Sequence, residues 1–482
     1  MSYSVTQNTS FLTAASILQK VISFVYFTII ARIIGVGNTG QYFFAISFTT
    51  IFTVIADFGL GPVLTREVAK YPENSEKYLT TIFWTKMLFG FVSYGLVVIA
   101  INLLGYVVEL KHLVYLSGIT MLFDNLHTAF YSIFRARKNL IYESIGIVGS
   151  QLLTLIIGTT ALLSHWSLIW LIIAYSIPSG LNVIYISFFL RRVYGLVYRC
   201  TFDTAIFKAF LSLAFPFALT GIIARLYAYT DTILISKMLG NEHLGWWSVP
   251  YKITFAFQFI PSALSASVYP VMSSLSLINP AKIGELFEKS WKYLFMIVFP
   301  LSLGLGVIAK PIILKLYGVS YLPSVSILQI LLTSLVFGFL SFITGALLNA
   351  TNHQKIQTLL FAVALAINVF ANLMLLPQFG LTGAAVAALL GNLILCGGGF
   401  YFCRRLVPIA GWSLLKSILQ TFIPAVIMAM IVYGVTQHVN FIVAIPIGIV
   451  VYGALLFVTG ILTKKFIGDI VIKLRPNRPT IV

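Results

Sequence analysis

Charged side chains are scarce in this sequence: Asp, Glu, Lys and Arg together make up 9% of its 482 residues. A soluble globular domain carries about 25%, so this chain cannot clothe a water-facing surface of ordinary size. Acid is scarcer than base, with 13 Asp and Glu against 31 Lys and Arg. Cysteine is limited to Cys200, Cys396 and Cys403, all in or beside apolar runs. Such spacing fits neither a zinc site nor a secreted disulfide framework, and packing is the expected role. No Walker A sequence, no GxGxxG set between strand and helix, no HExxH and no GxSxG occurs. ATP hydrolysis on this chain is thereby excluded, and the common hydrolase signatures are missing. The opening MSYSVTQNTS has no basic stretch ahead of the first apolar segment. A cleaved signal is therefore not expected, and the first span should direct insertion itself.

What the chain has in quantity is apolar residues, at 59%, with a mean hydropathy of +0.98. They form continuous runs rather than alternating patterns, and a run of roughly 20 residues lets a helix cross about 30 Å of hydrocarbon. Fourteen candidate spans follow: 11–34, 40–63, 81–104, 112–134, 143–163, 168–190, 209–235, 245–270, 291–309, 321–349, 356–376, 381–403, 415–435 and 440–462. The expected fold is an all-α polytopic membrane protein. Pro250 and Pro261 in the eighth span, and Gly338 and Gly345 in the tenth, suggest tilts or kinks there.

The surplus of base does not point to nucleic acid, because it is concentrated between spans. The loops and span ends of one face hold Arg66, Lys70, Lys77, Lys86, Arg135, Arg137, Lys138, Arg191, Arg192, Arg199, Lys208, Lys282, Lys289, Lys292, Lys355, Arg404, Arg405 and Lys416, with Lys464, Lys465, Lys473, Arg475 and Arg478 in the tail. The other face holds only Lys111, Lys237, Lys310 and Lys315. By the positive-inside rule both termini are cytoplasmic. No loop is long enough for a soluble domain. The largest, around 63–80, 191–208 and 271–290, should lie on the membrane surface.

The sequence also resembles itself. Ala31-Arg32-Ile33-Ile34-Gly35, with Gly40-Gln41-Tyr42, aligns without gaps on Ser236-Lys237-Met238-Leu239-Gly240, with Gly245-Trp246-Trp247. Phe134-Arg135-Ala136 likewise falls on Leu348-Asn349-Ala350. The simplest reading is two six-helix lobes, 1–200 and 201–405, followed by two further helices and a basic tail over 406–482. Repeats around a midplane cavity suit alternating access.

Seven ionisable residues fall inside spans or at their mouths: Lys20, Arg32, Asp57, Asp124, Arg225, Asp231 and Lys252. Each costs about 2.5–3.5 kcal/mol at the bilayer centre on insertion scales. Such groups face a bundle interior or a watery cavity and pair where they can. One reading makes them structural ion pairs, Lys20 or Arg32 with Asp57, and Arg225 or Lys252 with Asp231. The other notes four bases against three acids, a balance that draws an anion, with arginine suited to phosphate. Ser47, Thr50, Thr53 and Asp57 form a polar stripe on the second span, and Asp124, Asn125, His127 and Thr128 cluster in the fourth.

Ala31-Arg32-Ile33-Ile34-Gly35 with Gly40-Gln41-Tyr42, then Asp57-Phe58-Gly59-Leu60 and Thr65-Arg66-Glu67, resembles the opening of Wzx-type oligosaccharide flippases. These form the polysaccharide-transport branch of the MOP exporter superfamily, beside lipid II flippases and MATE exporters. Asn349-Ala350, Asn368, Asn372 and the run Leu376-Pro377-Gln378-Phe379-Gly380-Leu381-Thr382-Gly383-Ala384-Ala385 extend the resemblance along the chain. It implies two six-helix lobes in an inverted V around a central cavity. The implied substrate is a polyprenyl-diphosphate-linked oligosaccharide, moved to the outer leaflet of the cell membrane for surface polysaccharide. Lys20, Arg32, Arg225 and Lys252 would then face the diphosphate and sugar, and Asp57, Asp124 and Asp231 would hold those bases or a coupling cation. No cofactor is expected beyond that candidate ion, H+ or Na+, and no catalysis. Glycosyltransferases and a polysaccharide polymerase are the expected protein partners. A MATE-like ion-coupled exporter of small molecules is the alternative.

Overall fold

The computed structural model describes residues 5–199, 201–276 and 278–462, with side chains from residue 11. Cys200 and the basic tail residues from Lys464 onward lie outside the described residues. Among the described residues the chain is built from α-helices and short 3₁₀ turns, with no strand. That is the outcome apolar runs dictate, since a helix pairs its own backbone without help from water. Every one of the fourteen apolar segments is helical. Twelve helical stretches are long and apolar enough to cross a membrane. The difference arises because the first two segments run together across a bend, and because the fourth has a polar centre.

The chain divides into two compact units, a partition by packing rather than by repeat. The first covers residues 1–256, 316–321 and 361–387. It opens with α1 (Val5–Asp57), whose two halves meet at Gly35, the residue with φ 78° and ψ 171°. A short amphipathic helix follows, α2 (Leu60–Lys70), burying Leu60, Val63, Leu64 and Val68. Then come α3 (Ser75–Leu103), α4 (Val108–Ala136), α5 (Ile141–Leu163), α6 (Ile169–Tyr194), α7 (Thr204–Met238) and α8 (Asn241–Phe257). Asp203 caps α7 through its carboxylate, which accepts from the amides of Ala205 (2.8 Å) and Ile206 (3.1 Å). The apolar side of α2 joins a core with Phe83, Phe130, Phe134, Ile186 and Phe210. At the adjoining end of α4, Arg135 grips the buried Glu143 through two parallel bonds, Nε lying 2.9 Å from Oε2.

The second unit covers 257–315, 322–360 and 388–482. It holds α9 (Phe259–Leu275), α10 (Pro280–Val307), most of α11 (Ala309–Leu316), α12 (Ser324–Ala350), α15 (Gly411–Thr436) and α16 (Phe441–Val458). Two helices, α13 (Gln354–Phe379) and α14 (Leu381–Leu406), run through both units. The eighth apolar segment is broken, as its prolines suggest. Pro261 has no N–H for the Phe257 carbonyl, and helical bonding restarts at Phe259. The tenth segment corrects its expectation, because α12 is one uninterrupted helix. Its glycines serve close packing instead: a Cβ on Gly345 would stand 3.0 Å from the Gln357 amide nitrogen. Cys396 and Cys403 are buried free thiols, consistent with packing.

The backbone carries a signature of the internal repeat that the side chains only hint at. Left-handed residues recur in matching order: Gly35 with Gly240, Gly105 with Gly318, Lys138 with Asn352, and His165 with Gly380. Five of these eight are glycines, while Lys138, His165 and Asn352 hold positive φ without being glycine, which is uncommon. Basic residues at the aligned positions do matching work. Arg32 donates from Nη1 to the Leu316 carbonyl at 3.3 Å, and Lys237 donates to the Leu104 carbonyl at 2.5 Å. Each target is the carbonyl at the C-terminal end of a helix, where positive charge is favourable.

Candidate functional site

Three neighbouring cavities run through the first unit, and between them they collect three of the seven ionisable positions singled out in the sequence, Lys20, Asp124 and Lys252. The first, about 220 Å³, is lined by Gln19, Lys20, Ser23 and Phe24 of α1 and by Lys252, Phe255 and Ala256 of α8. Lys20 and Lys252 thus open on one space. Both are partly buried. The Lys252 ammonium also lies 5.4 Å from the centre of the Phe27 ring and 5.9 Å from that of Phe43. Ring faces offer a cation modest compensation for lost water while leaving its charge uncancelled.

Lys252 and Phe255 also border a narrow second cavity of about 40 Å³, walled by Tyr42, Phe43, Ile46, Ser47, Thr50, Tyr229 and Tyr251. Ile46 and Thr50 in turn border the third, about 160 Å³, with Thr49, Thr53, Ser117, Thr120, Met121, Asp124, Ile172 and Tyr175. The polar stripe of the second span therefore turns inward as its spacing suggests. Ser47 and Thr50 line the neck, Thr50 and Thr53 the third cavity. Asp124 accepts a hydrogen bond from Ser179 Oγ and stands 3.8 Å from His127 Nδ1. About half of its carboxylate surface remains open, at 53% exposure.

The ion-pair assignments need correction. Asp57 pairs with neither Lys20 nor Arg32. Its partner is Lys86 of α3, with Nζ 2.5 Å from Oδ1. Lys86 is wholly buried, and its remaining donors reach the Asn125 carbonyl (3.2 Å) and Thr128 Oγ1 (3.1 Å). Asn125 answers by donating from Nδ2 to the Lys86 carbonyl at 2.9 Å. Lys86, counted in the sequence among the basic residues of loops and span ends, is instead a buried partner inside the helix bundle. Helix α3 begins at Ser75, so Lys86 sits about 16 Å into it at 1.5 Å per residue. Hydropathy placed the start of this span later than the helix itself starts.

Asp231 pairs with neither Arg225 nor Lys252. Its Oδ1 accepts from Asn372 Nδ2 at 2.7 Å, and Asn372 also reaches the Asn368 side chain at 3.3 Å. All three are buried, and Asn372 Oδ1 and Asn368 Nδ2 have no hydrogen-bond partner among the described residues. A buried carboxylate beside an unspent amide oxygen offers oxygen ligands of the kind a small cation takes. Arg225 is exposed on α7, and Arg32, three residues before the Gly35 bend of α1, donates to the Leu316 carbonyl. Neither lines the three cavities. Sequence reasoning missed Lys86, Thr49, Ser117, Thr120 and Ser179. The four hydroxyls carry no signal, since a serine or threonine in a membrane helix most often bonds its own backbone.

Comparison with known proteins bears on this arrangement. Residues 5–276 match the family described as "Polysaccharide biosynthesis protein". A probable low-salt glycan biosynthesis flippase of Haloferax volcanii is 22% identical over 454 residues, covering 91% of this chain and 92% of that protein. The lipopolysaccharide biosynthesis protein WzxC of Escherichia coli is 23% identical over 83% of this chain and 80% of its own length. A putative O-antigen transporter of Shigella flexneri is 25% identical over 170 residues, and there the match spans only 40% of the relative. Among solved structures, the lipid II flippase MurJ in an inward closed conformation superposes with a TM-score of 0.75 at 20% identity, over 95% of this chain and 99% of MurJ. An inward-facing MATE family multidrug transporter gives 0.64 at 13% identity, over 80% of this chain and 94% of its own. The fold is that of these transporters.

Proposed function

This chain belongs to the polysaccharide biosynthesis protein family, and from that premise we propose that it is a flippase for lipid-linked glycans. It moves a polyprenyl-diphosphate-linked oligosaccharide from the cytoplasmic to the outer leaflet by alternating access, supplying cell-surface polysaccharide. The observation that carries the reading is the cavity shared by Lys20 and Lys252. A diphosphate crossing hydrocarbon loses hydration worth many kcal/mol, and only fixed opposite charge within the membrane can offset it. Two ammonium groups opening on one space, with the Lys252 charge set against aromatic rings, are suited to that task. The lipid tail stays in the bilayer, so the protein carries only the headgroup.

Asp231 with Asn368 and Asn372 is our candidate for the coupling-cation site, whether H+ or Na+. The basic loops support a topology with both termini in the cytoplasm, where glycosyltransferases would build the substrate, while a polymerase would consume the product on the far side. The test is transport of a polyprenyl-diphosphate glycan in proteoliposomes carrying the full chain. Lys20→Ala with Lys252→Ala should reduce the flipping rate by about a hundredfold, and Lys252→Arg should keep most of it. Flipping that survives loss of both lysines, together with ion-driven efflux of a cationic dye, would instead identify a small-molecule exporter of the MATE type.

A further inference from the structure

The third cavity presents hydrogen-bond acceptors almost exclusively, and this bears on the cargo. Thr50 Oγ1 donates back to the Ile46 carbonyl at 2.6 Å, and Thr53 Oγ1 to the Thr50 carbonyl at 2.7 Å. Thr49 reaches the Ala45 and Ile46 carbonyls, both at 3.1 Å, and shares a 2.8 Å bond with Ser117. Thr120 shares one of 2.6 Å with Ser176. A hydroxyl has one proton and two lone pairs. Where the proton is turned to the helix's own carbonyl, what remains for an occupant is the oxygen. Asp124 adds a half-open carboxylate, and no Lys or Arg is among the lining residues.

We propose that this cavity is the subsite for a sugar of the lipid-linked headgroup, and that Asp124 makes it selective for hydroxyl- or ammonium-bearing sugars over uronic acids. The proposal rests on the flippase reading. The lysine cavity and this one adjoin through the neck at Lys252 and Thr50, so one headgroup can present its diphosphate to the first and its sugar to the second. A neutral hexose brings donors to match the acceptors. A hexuronic acid brings a carboxylate against Asp124, and two like charges sharing one cavity repel.

The experiment compares two probes in proteoliposomes of the full chain, an undecaprenyl-diphosphate hexose and the matching hexuronic acid. Wild type should flip the hexose at least about tenfold faster. Asp124→Asn should raise the ratio of uronic acid to hexose transport toward one. Thr53→Val, which keeps the shape and removes an acceptor, should lower hexose flipping several-fold. Equal wild-type rates for the two probes would overturn the inference while leaving the flippase reading intact. Failure to flip either probe would overturn both. A ratio unmoved by Asp124→Asn, with transport now independent of the ion gradient, would make Asp124 an ion site and overturn the sugar assignment.

Discussion

Lys86 and Asp57 set the residue scale, because each constrains the other more than the surrounding bilayer does. Lys86 has no exposed surface, while Asp57 retains 37%. Removing the carboxylate strands an ammonium among Asn125 and Thr128, and breaking a buried pair from one side costs about 3–5 kcal/mol, with the lower end apt for a partly exposed acid. Asp57→Ala should therefore lower the midpoint of thermal unfolding in detergent. Asp57→Ala with Lys86→Met should recover most of that loss, and a double-mutant cycle measures the coupling. Asp231→Asn makes the opposite kind of prediction: folded protein is retained through the Asn372 contact, but transport should lose its dependence on an H+ or Na+ gradient. The intramembrane acids were legible in the sequence as positions that lipid would not tolerate. Their partners were not. Which helix lies beside which is a long-range fact, and the pairing of residue 57 with residue 86 leaves no periodicity to read.

At the scale of elements, the break enforced by Pro261 was legible in the sequence. The glycines of α12 were misread, because the same residue that permits a bend also permits close packing, and sequence does not say which. Gly40 and Gly245 belong to the second kind. A Cβ on Gly40 would fall 1.8 Å from the Asn241 carbonyl oxygen, and one on Gly245 would fall 2.1 Å from that of Val36. Both neighbours are backbone and cannot swing aside. Gly40→Ala and Gly245→Ala should each reduce the yield of monodisperse protein on size exclusion. Gly37→Ala, with nothing within 4 Å of the added carbon, should be neutral or gain up to about 1 kcal/mol from helix propensity.

For the whole molecule, hydropathy alone carried the fold class, since a chain with so little charge has few other ways to satisfy its backbone. The three cavities were only half legible. The inward stripe of α1 followed from its spacing, whereas the meeting of Lys20 with Lys252 needed coordinates. Orientation is open to a direct check. Single cysteines placed at Asn139 and at Val319, on opposite ends of spans by the alternating count, should label differently in intact cells. The first should react only after permeabilisation, the second without it, and the reverse pattern would invert the proposed topology.

The twin clasps made by Arg32 and Lys237 have one further implication. Both close on main-chain oxygens, which every amino acid supplies, so the residues at 316 and 104 are released from any obligation to that bond. The side chains at those positions can vary while the two fasteners survive, provided the basic donor persists.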